Sequence, residues 1–405
     1  MKGLLVERSL PRFAAARLFS SIGGSGTSTS VGPLRLTDLE APDLPGPGWH
    51  RVQPLLAGIC GSDLATLDGH SSRYFEGIVS FPFVPGHEVV GVVDEGSAGG
   101  LPAGTRVVVE PVLGCIPRGI DPPCAACADG RVGGCERVAF GHIAPGLQIG
   151  FCADTGGGWS HAGLVAHGVQ LHPVPDALSD DDAVMVEPTA CAVHAALAAG
   201  VEPGDTVAVL GGGTVGLTTT AALRQLASPG ALLVGAKYPH QRQLAGELGA
   251  DLAVTPAQLA RAVRRRSRSL TISGQLSGGA DIVVDCVGSA DSVAQSLEMV
   301  RPRGRVVLVG MPGKMNIDLA SLWHREVSLA GAYAYGSERT GRSVRRTFDI
   351  AMEVVAAARL GRLVSARYPL ERFEEAVAHA GAAGRRGAVK VVFEMHPRSR
   401  KGLTS

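Results

Sequence analysis

Cys60 lies in AGICGSDLATLDG, and His87 and Glu88 lie in FVPGHEVVG, each in a turn flanked by apolar, strand-forming residues. Singly, such a cysteine or histidine is more often a satisfied core residue than a ligand. Taken with Glu187 in VEPTACAVH, they supply sulfur, nitrogen and oxygen donors of the kind a catalytic zinc takes. Three protein ligands leave a fourth position open, which Lewis-acid chemistry requires. A second group, Cys124-x2-Cys127-x7-Cys135 with Cys115 upstream, is tight enough to read as zinc-binding in a reducing compartment.

A third constellation is a glycine loop. TVAVLG (206–211) runs into Gly211-Gly212-Gly213-Thr214-Val215-Gly216 and then LTTTAALRQLA. This G-x-G-x-x-G stands in the context it needs, a strand before and a helix after. Its glycines allow a sharp turn and close approach to a pyrophosphate, and the helix N-terminus offers free N–H groups. At the end of the next strand a carboxylate would select NAD, but the chain reads Ala236-Lys237-Tyr238-Pro239-His240-Gln241-Arg242. Cations at Lys237 and Arg242 with no acidic residue favour a 2′-phosphate, so the expected cofactor is NADP(H) rather than NAD(H).

The elements around these residues change character along the chain. The first ~170 residues read as short β segments broken by Gly and Pro, such as 89–93 and 105–111. Residues 1–21 read as a first strand and a surface loop, and 23–33 as a flexible Gly/Ser/Thr-rich loop. From Asp176, helical stretches such as 180–200 alternate with strands at 206–211, 231–236, 281–288 and 305–311, the pattern of a parallel sheet wrapped by helices. A helical segment at 342–361 and a strand at 388–395 return to the earlier style. The 405 residues carry 38 basic and 37 acidic side chains, a balance of +1 that gives no field for nucleic acid or a membrane surface. The basic run Arg261–Arg268 reads as a solvated helix end. Glu7 and Pro11 interrupt any secretory core, and glycines break the longest uncharged stretch, 206–223, so a soluble cytoplasmic protein is expected.

GICGSD, PGHEVVG, the cysteine cluster, EPTACAVH and the glycine loop, in this order, resemble the medium-chain zinc-dependent alcohol dehydrogenases over essentially the whole chain. The resemblance implies a Rossmann doubly wound parallel sheet joined to a mostly β, GroES-like catalytic domain. The expected divisions are a catalytic domain with both zinc sites (1–176), a dinucleotide-binding domain (177–333) and a return to the catalytic domain (334–405). It implies Cys60, His87 and Glu187 as catalytic-zinc ligands and Glu88 as an outer carboxylate or occasional fourth ligand. Asp63 would hold the other nitrogen of His87, and Ser62 would pass the alcohol proton onward. Many relatives carry a histidine five residues after the zinc cysteine, where this chain has Ala65; His70 lies nearby in a different register. In the cysteine lobe the family register falls on Asp121, whereas Cys115 would give an all-thiolate site, and the choice leans to Cys115. Cys152, Cys191 and Cys286 read as buried small apolar residues.

The resulting expectation is a zinc-dependent oxidoreductase moving hydride between NADP(H) and an alcohol or carbonyl. The nicotinamide would lie against Val287-Gly288 and Val309-Gly310, near Gly331-Ala332-Tyr333, with Tyr74, Phe75 and Trp159 beside a small-molecule cleft. By resemblance the protein would be a homodimer or homotetramer. Two rivals stand beside this reading: an NADPH-dependent reductase of activated C=C or C=N bonds, and a non-catalytic NADPH-binding zinc protein. Open coordination beside a hydroxyl argues against the second.

Overall fold

Short apolar runs punctuated by glycine and proline build the first half as antiparallel strands. The computed structural model describes residues 1–96, 100–272, 274–341 and 343–395. Strand β1 (Lys2–Val6) pairs with β2 (Leu34–Asp38). Between them runs helix α1 (Leu10–Gly23), where the sequence reading expects a surface loop. Ser9 in extended backbone and Pro11 in the first turn start it, and its alanine-rich middle suits a helix. Strand β3 (Trp49–Gly58) leads into α2 (Gly61–Leu67). β4 (Val89–Gly96), β5 (Arg106–Val109), the short α3 (Ala125–Ala128), β6 (Leu164–His167) and β7 (Leu171–Pro173) follow.

The second half alternates helices and fully buried strands. Helices α4 (Asp180–Val184) and α5 (Val186–Ala198) precede β8 (Thr206–Leu210), α6 (Thr214–Leu226), β9 (Ala231–Gly235), α7 (Pro239–Glu247), β10 (Leu252–Val254) and α8 (Pro256–Ser267). A small hairpin, β11 (Thr271–Ile272) and β12 (Gln275–Leu276), leads to β13 (Ala280–Asp285), α9 (Ala290–Met299), β14 (Val300–Leu308), α10 (Ala320–His324) and β15 (Ser328–Gly331). The sheet order is β10-β9-β8-β13-β14-β15, with every pairing parallel. This is a doubly wound sheet whose order reverses between β8 and β13, where such sheets bind ligands. Val207, Val209, Ile282 and Val284 pack inward against α5 and α6, as strands covered on both faces must.

The chain then returns. The hairpin β16 (Ser337–Thr340) and β17 (Ser343–Arg346) precedes α11 (Thr347–Ala358). The helix expected over 342–361 therefore starts only at Thr347, because Ser343–Arg346 pair as a strand instead; Arg342 lies outside the described residues. β18 (Val364–Tyr368), α12 (Phe373–Gly381) and β19 (Lys390–Glu394) complete a seven-stranded sheet in the order β18-β19-β3-β4-β5-β7, with β6 pairing β3. Residues 390–394 thus lie beside the strand that delivers Cys60. Trp49, Phe83, Trp159 and Phe393 fill the core of this half.

The segment 23–33, expected to be free, is fastened to α2. Buried Asp68, the residue closing that helix, accepts from Ser25 Oγ at 2.7 Å, Ser28 Oγ at 2.6 Å and Gly26 N at 3.0 Å. Gly26 sits at φ +79°, and a Cβ there would meet the Val377 carbonyl oxygen at 2.3 Å, so the loop is wedged against α12. Asp68→Ala strands these three donors. The expected cost is about 2–4 kcal/mol, by unsatisfied buried hydrogen bonding, with faster amide exchange over 24–29. An unchanged melting temperature and unchanged exchange would show that the loop is held some other way.

Candidate active site and metal centres

Strand β3 ends at Gly58, and the chain turns through Cys60 into α2. Asp63 fixes that turn by accepting from the Cys60 backbone N–H through Oδ2 at 2.9 Å. Its other oxygen stands 3.4 Å from His87 Nδ1, which leaves Nε2 as the ring's remaining donor atom. Cys60, His87 and Glu88 bring one ligand atom each within 4.8 Å of one another. Burial opposes charge on His87, but Asp63 and the Cys60 thiol more than reverse it and hold the ring well above the ordinary histidine range. Ser62 is half-buried on the same first turn of α2.

Glu187 does not belong to that tight group. It opens α5, is buried, and its Oε1 accepts from the Tyr335 hydroxyl at 2.5 Å. Burial pushes its carboxyl up to about 7, with His87 opposing and Glu88 adding to the shift. The compact trio therefore contains Glu88 where the sequence reading has Glu187. Glu88 itself is in a buried ion pair with Lys390, whose ammonium also donates to the Ile59 carbonyl at 3.2 Å. Three buried carboxylates, Asp63, Glu88 and Glu187, share this space with a single ammonium. The raised His87 ring is a second positive group there; a divalent cation bound at Cys60 and His87 would take the place of the protons on the imidazole and the thiol.

The second group is a sulfur cage. Cys115, Cys124, Cys127 and Cys135 offer four sulfurs mutually within 4.8 Å. The Cys115 and Cys135 sulfurs are 3.7 Å apart, against about 3.8 Å for two thiolates bound at 2.3 Å in a zinc tetrahedron. Backbone N–H groups of Cys115, Cys124 and Arg137 each point at a sulfur at 3.4 Å. Burial raises the Cys124 thiol, but backbone N–H groups of Cys127 and Glu136 outweigh it and bring it to about 6. Asp121 is exposed and stands outside the cage; Cys115 reaches it because its loop turns back, with Ile120 N donating to the Cys115 carbonyl at 3.0 Å.

The two groups are mechanically joined. A Cβ on Gly133 would meet the Ala334 carbonyl at 2.8 Å, and Ser337 N donates to the Gly130 carbonyl at 2.9 Å. The cysteine lobe thus packs on the segment carrying Tyr335, which in turn holds Glu187.

At the glycine loop, Gly211 adopts φ +109° and a Cβ on Gly216 would lie 2.0 Å from the Gly211 carbonyl. Gly213 is exposed, with nothing within 4 Å of an added Cβ, so the N-terminus of α6 at Thr214 and Val215 faces open space, as a pyrophosphate cradle must. Across the switch point, buried Asp285 accepts from Val287 N at 2.8 Å, Gly288 N at 3.1 Å and Ser292 Oγ at 2.7 Å. It shapes the Val287 turn, which touches the turn carrying Val309 and Gly310: a Cβ on Gly288 would meet the Gly310 carbonyl at 2.4 Å. Lys237 is exposed and lies over the Tyr238 ring at 5.8 Å. Arg242 instead donates through Nη1 to the Ala236 and Lys237 carbonyls at 3.0 and 2.9 Å, bracing the turn.

Several expected roles move. Trp159 is fully buried and donates to the Gly58 carbonyl at 3.0 Å, a core residue rather than a cleft wall; Tyr74 is 78% exposed. His70 turns to α1, with Nε2 3.0 Å from Ser20 Oγ. Cys191 is only half-buried, one helical turn after Glu187 and within electrostatic reach of Glu187, Cys60 and Glu88. Cys152 is fully buried as expected, while Cys286 is half-buried. Tyr333 lies within reach of His87, Cys191 and Glu187. Lys390, Tyr335 and Asp285 escape sequence reasoning; the one signal for Lys390 is a lone charge inside the apolar strand AVKVVFEM.

Residues 46–176 match the family described as alcohol dehydrogenase GroES-like domain, and residues 214–356 that described as zinc-binding dehydrogenase. An L-idonate 5-dehydrogenase of Vitis vinifera is 28% identical over 86% of this chain and 89% of its own length. A sorbitol dehydrogenase of Arabidopsis thaliana is 29% identical over 87% and 90%. A protein of Neosartorya fischeri named "Probable D-xylulose reductase A" is 30% identical over 75% and 80%. Among solved structures, a zinc-binding dehydrogenase of Sinorhizobium meliloti 1021 bound to NADP superposes with a TM-score of 0.68 at 26% identity, covering 89% of this chain and 95% of that one. With two donor groups, a glycine loop at the switch point and these likenesses along most of its length, the chain belongs to the zinc-dependent medium-chain dehydrogenases and is an oxidoreductase.

Proposed function

We propose that this enzyme interconverts a secondary alcohol of polyol or sugar-acid type and its ketone, using NADP(H). The observation that carries the reading is the compact trio Cys60, His87 and Glu88, half-buried at Cys60 and buried at the other two, with Glu187 in electrostatic reach and half-buried Ser62 on the same turn as Cys60. The polyol class is supported by the relatives named for idonate, sorbitol and xylulose. A zinc ion bound there would supply Lewis acidity, and a bound dinucleotide would supply hydride-transfer chemistry.

The chain's own residues orient and move the proton. Asp63 fixes the Cys60 turn and the His87 ring. Lys390 holds Glu88 in a buried ion pair, and Tyr335 donates its hydroxyl to Glu187. Cys60, His87 and either Glu88 or Glu187 would hold the catalytic ion, and Cys115, Cys124, Cys127 and Cys135 a structural one. Ser62 Oγ takes the proton from the alcohol and returns it to the ketone oxygen in reverse. With Ala65 in place of a relay histidine and His70 engaged by Ser20, Ser62 would release that proton to water. Gly211, Gly213 and Gly216 would let Thr214 and Val215 present their N–H groups to a pyrophosphate, and Lys237, on a turn braced by Arg242, would hold a 2′-phosphate. Self-association is supported by β15, an open sheet edge exposed at all its residues; light scattering of the purified protein decides it.

Elemental analysis should give about two zinc ions per chain, by the closed and open site types. Cys115→Ser should lower this to about one, whereas Asp121→Ala should leave it unchanged; the reverse pattern would return Asp121 to the ligand set. Reduction of sugar-derived ketones with NADPH should be measurable, and Ser62→Ala should reduce kcat about 100-fold, as loss of a positioned acid–base group does, with zinc retained. An unchanged kcat would remove Ser62 from the mechanism. Lys237→Ala should raise the KM for NADPH about tenfold, equivalent to about 1.4 kcal/mol, without changing that for NADH. Equal use of both cofactors by the unaltered enzyme would overturn the NADP reading.

A further inference from the structure

The outer edge of the doubly wound sheet carries a second cleft, separate from the glycine loop. β10 pairs only with β9, and the groove beside it, about 720 Å³ in volume, is lined by Leu252 and Val254 and by Arg261, Arg265, Arg266 and Arg268. Its far end reaches Gly230 and Ala231, where β9 begins. The groove runs the length of β9, about 13 Å at the usual rise per residue, to Val254 opposite Gly235; β9 stands between it and β8, which delivers the glycine loop.

Several arginines elsewhere in the chain are tied to carboxylates. Arg224, Arg301, Arg345 and Arg367 each pair with a carboxylate at 2.6–2.8 Å. The four cleft arginines are exposed, and their guanidinium groups have no ion-pair or hydrogen-bond partner among the described residues. The cleft's own carboxylate, Asp251, is already taken by Arg224 at 2.8 Å and by Leu232 N at 2.7 Å.

Helix stability alone does not account for them. Arg261 and Arg265 are four apart, as are Arg264 and Arg268, a like-charge spacing that weakens a helix. The helix dipole favours cations in the last turn of α8, which covers Arg264–Arg266 but not Arg261. Arg268 closes the helix at φ +53°, a left-handed position usually given to glycine or asparagine. Repulsion and backbone strain are thus retained at one place, around an apolar-walled groove of ligand size.

We infer that this cleft binds a small molecule carrying at least two phosphate groups. Guanidinium forks match phosphate oxygens in pairs, and the apolar walls suit the carbon skeleton between them. A nucleic-acid track would need a positive field extending over the surface, and the chain's net charge of +1 does not supply one.

The test is calorimetric titration of the full-length, zinc-loaded protein with fructose 1,6-bisphosphate, with and without saturating NADPH. The expected result is one equivalent bound per chain, with affinity unchanged by NADPH. Arg265→Glu/Arg268→Glu should weaken it at least roughly tenfold, two charge-assisted contacts being reversed, while NADPH affinity stays within about twofold. The milder Arg265→Gln/Arg268→Gln pair keeps the readout if charge reversal disturbs folding, and should also weaken the bisphosphate without touching NADPH. No saturable heat, binding displaced by NADPH, or binding indifferent to both variants would overturn the assignment. Tight, salt-sensitive binding of a uridine homopolymer without saturable bisphosphate binding would overturn it in favour of nucleic acid.

Discussion

The ion pair between Glu88 and Lys390 is the constraint around which the rest of the molecule is arranged. Both groups are buried, and a buried charge left alone costs several kcal/mol, so each residue obliges the other to be present. Glu88 comes from the segment before β4, while Lys390 comes from the last strand of the sheet. For the two to meet, the chain must leave the first sheet, build the nucleotide-binding sheet, and return β19 to the side of β3. The closing strand pairs Val392 with Gly58, two residues before Cys60. A Cβ on Gly58 would lie 2.0 Å from the Glu88 carboxylate and 2.7 Å from the Lys390 side chain, so that position is glycine because the ion pair occupies its space.

The same logic extends outward to Glu187. Burial drives its carboxyl up to about 7, with Glu88 adding to the shift and His87 and Lys390 opposing it. The Tyr335 hydroxyl is its direct partner, and Tyr335 is held by its own packing on Phe348, ring centroids 5.0 Å apart. The segment around Tyr335 in turn leans on Gly130 and Gly133 of the cysteine lobe. The four-sulfur cage therefore has a physical route to the site: it fixes the surface against which the Tyr335 segment lies.

How much of this was legible beforehand depended on whether a residue's partner was local. The glycine loop lies between its strand and helix, so spacing exposed it, while Cys60, Ser62 and Asp63 lie within one turn, where the family resemblance of GICGSD exposed them. The doubly wound sheet was legible for a related reason: Val207, Val209 and Val284 sit in continuous apolar runs that only strands buried on both faces show. Lys390 and Tyr335 were not legible, because their partners are 302 and 148 residues away. Trp159 was misplaced because an aromatic beside ligand segments reads the same whether it lines a cleft or, as here, donates into the strand carrying those ligands. The helix α1 was missed because its apolar residues do not face inward as a set: Leu18 and Ile22 are exposed, and the helix buries Ala16 and Ser20 instead, leaving no amphipathic stripe to read.

That last departure explains why 10–33 is ordered at all. A helix with its large apolar residues outward gains little from burial, and a Gly/Ser/Thr loop gains less, so the segment needs polar anchors. It has two, and both are on or just beyond α2: Asp68 gathers Ser25, Gly26 and Ser28, and His70 meets Ser20. The anchors act reciprocally. By closing over the C-terminal end of α2, the segment restrains the helix whose first residues carry the Cys60 turn and Ser62. That helix is only seven residues long, too short to be stable by itself. It is pinned at its start by Asp63 on the Cys60 N–H and at its end by Asp68, and the Ser62 hydroxyl, inside the first turn that Asp63 closes onto Cys60, inherits the rigidity.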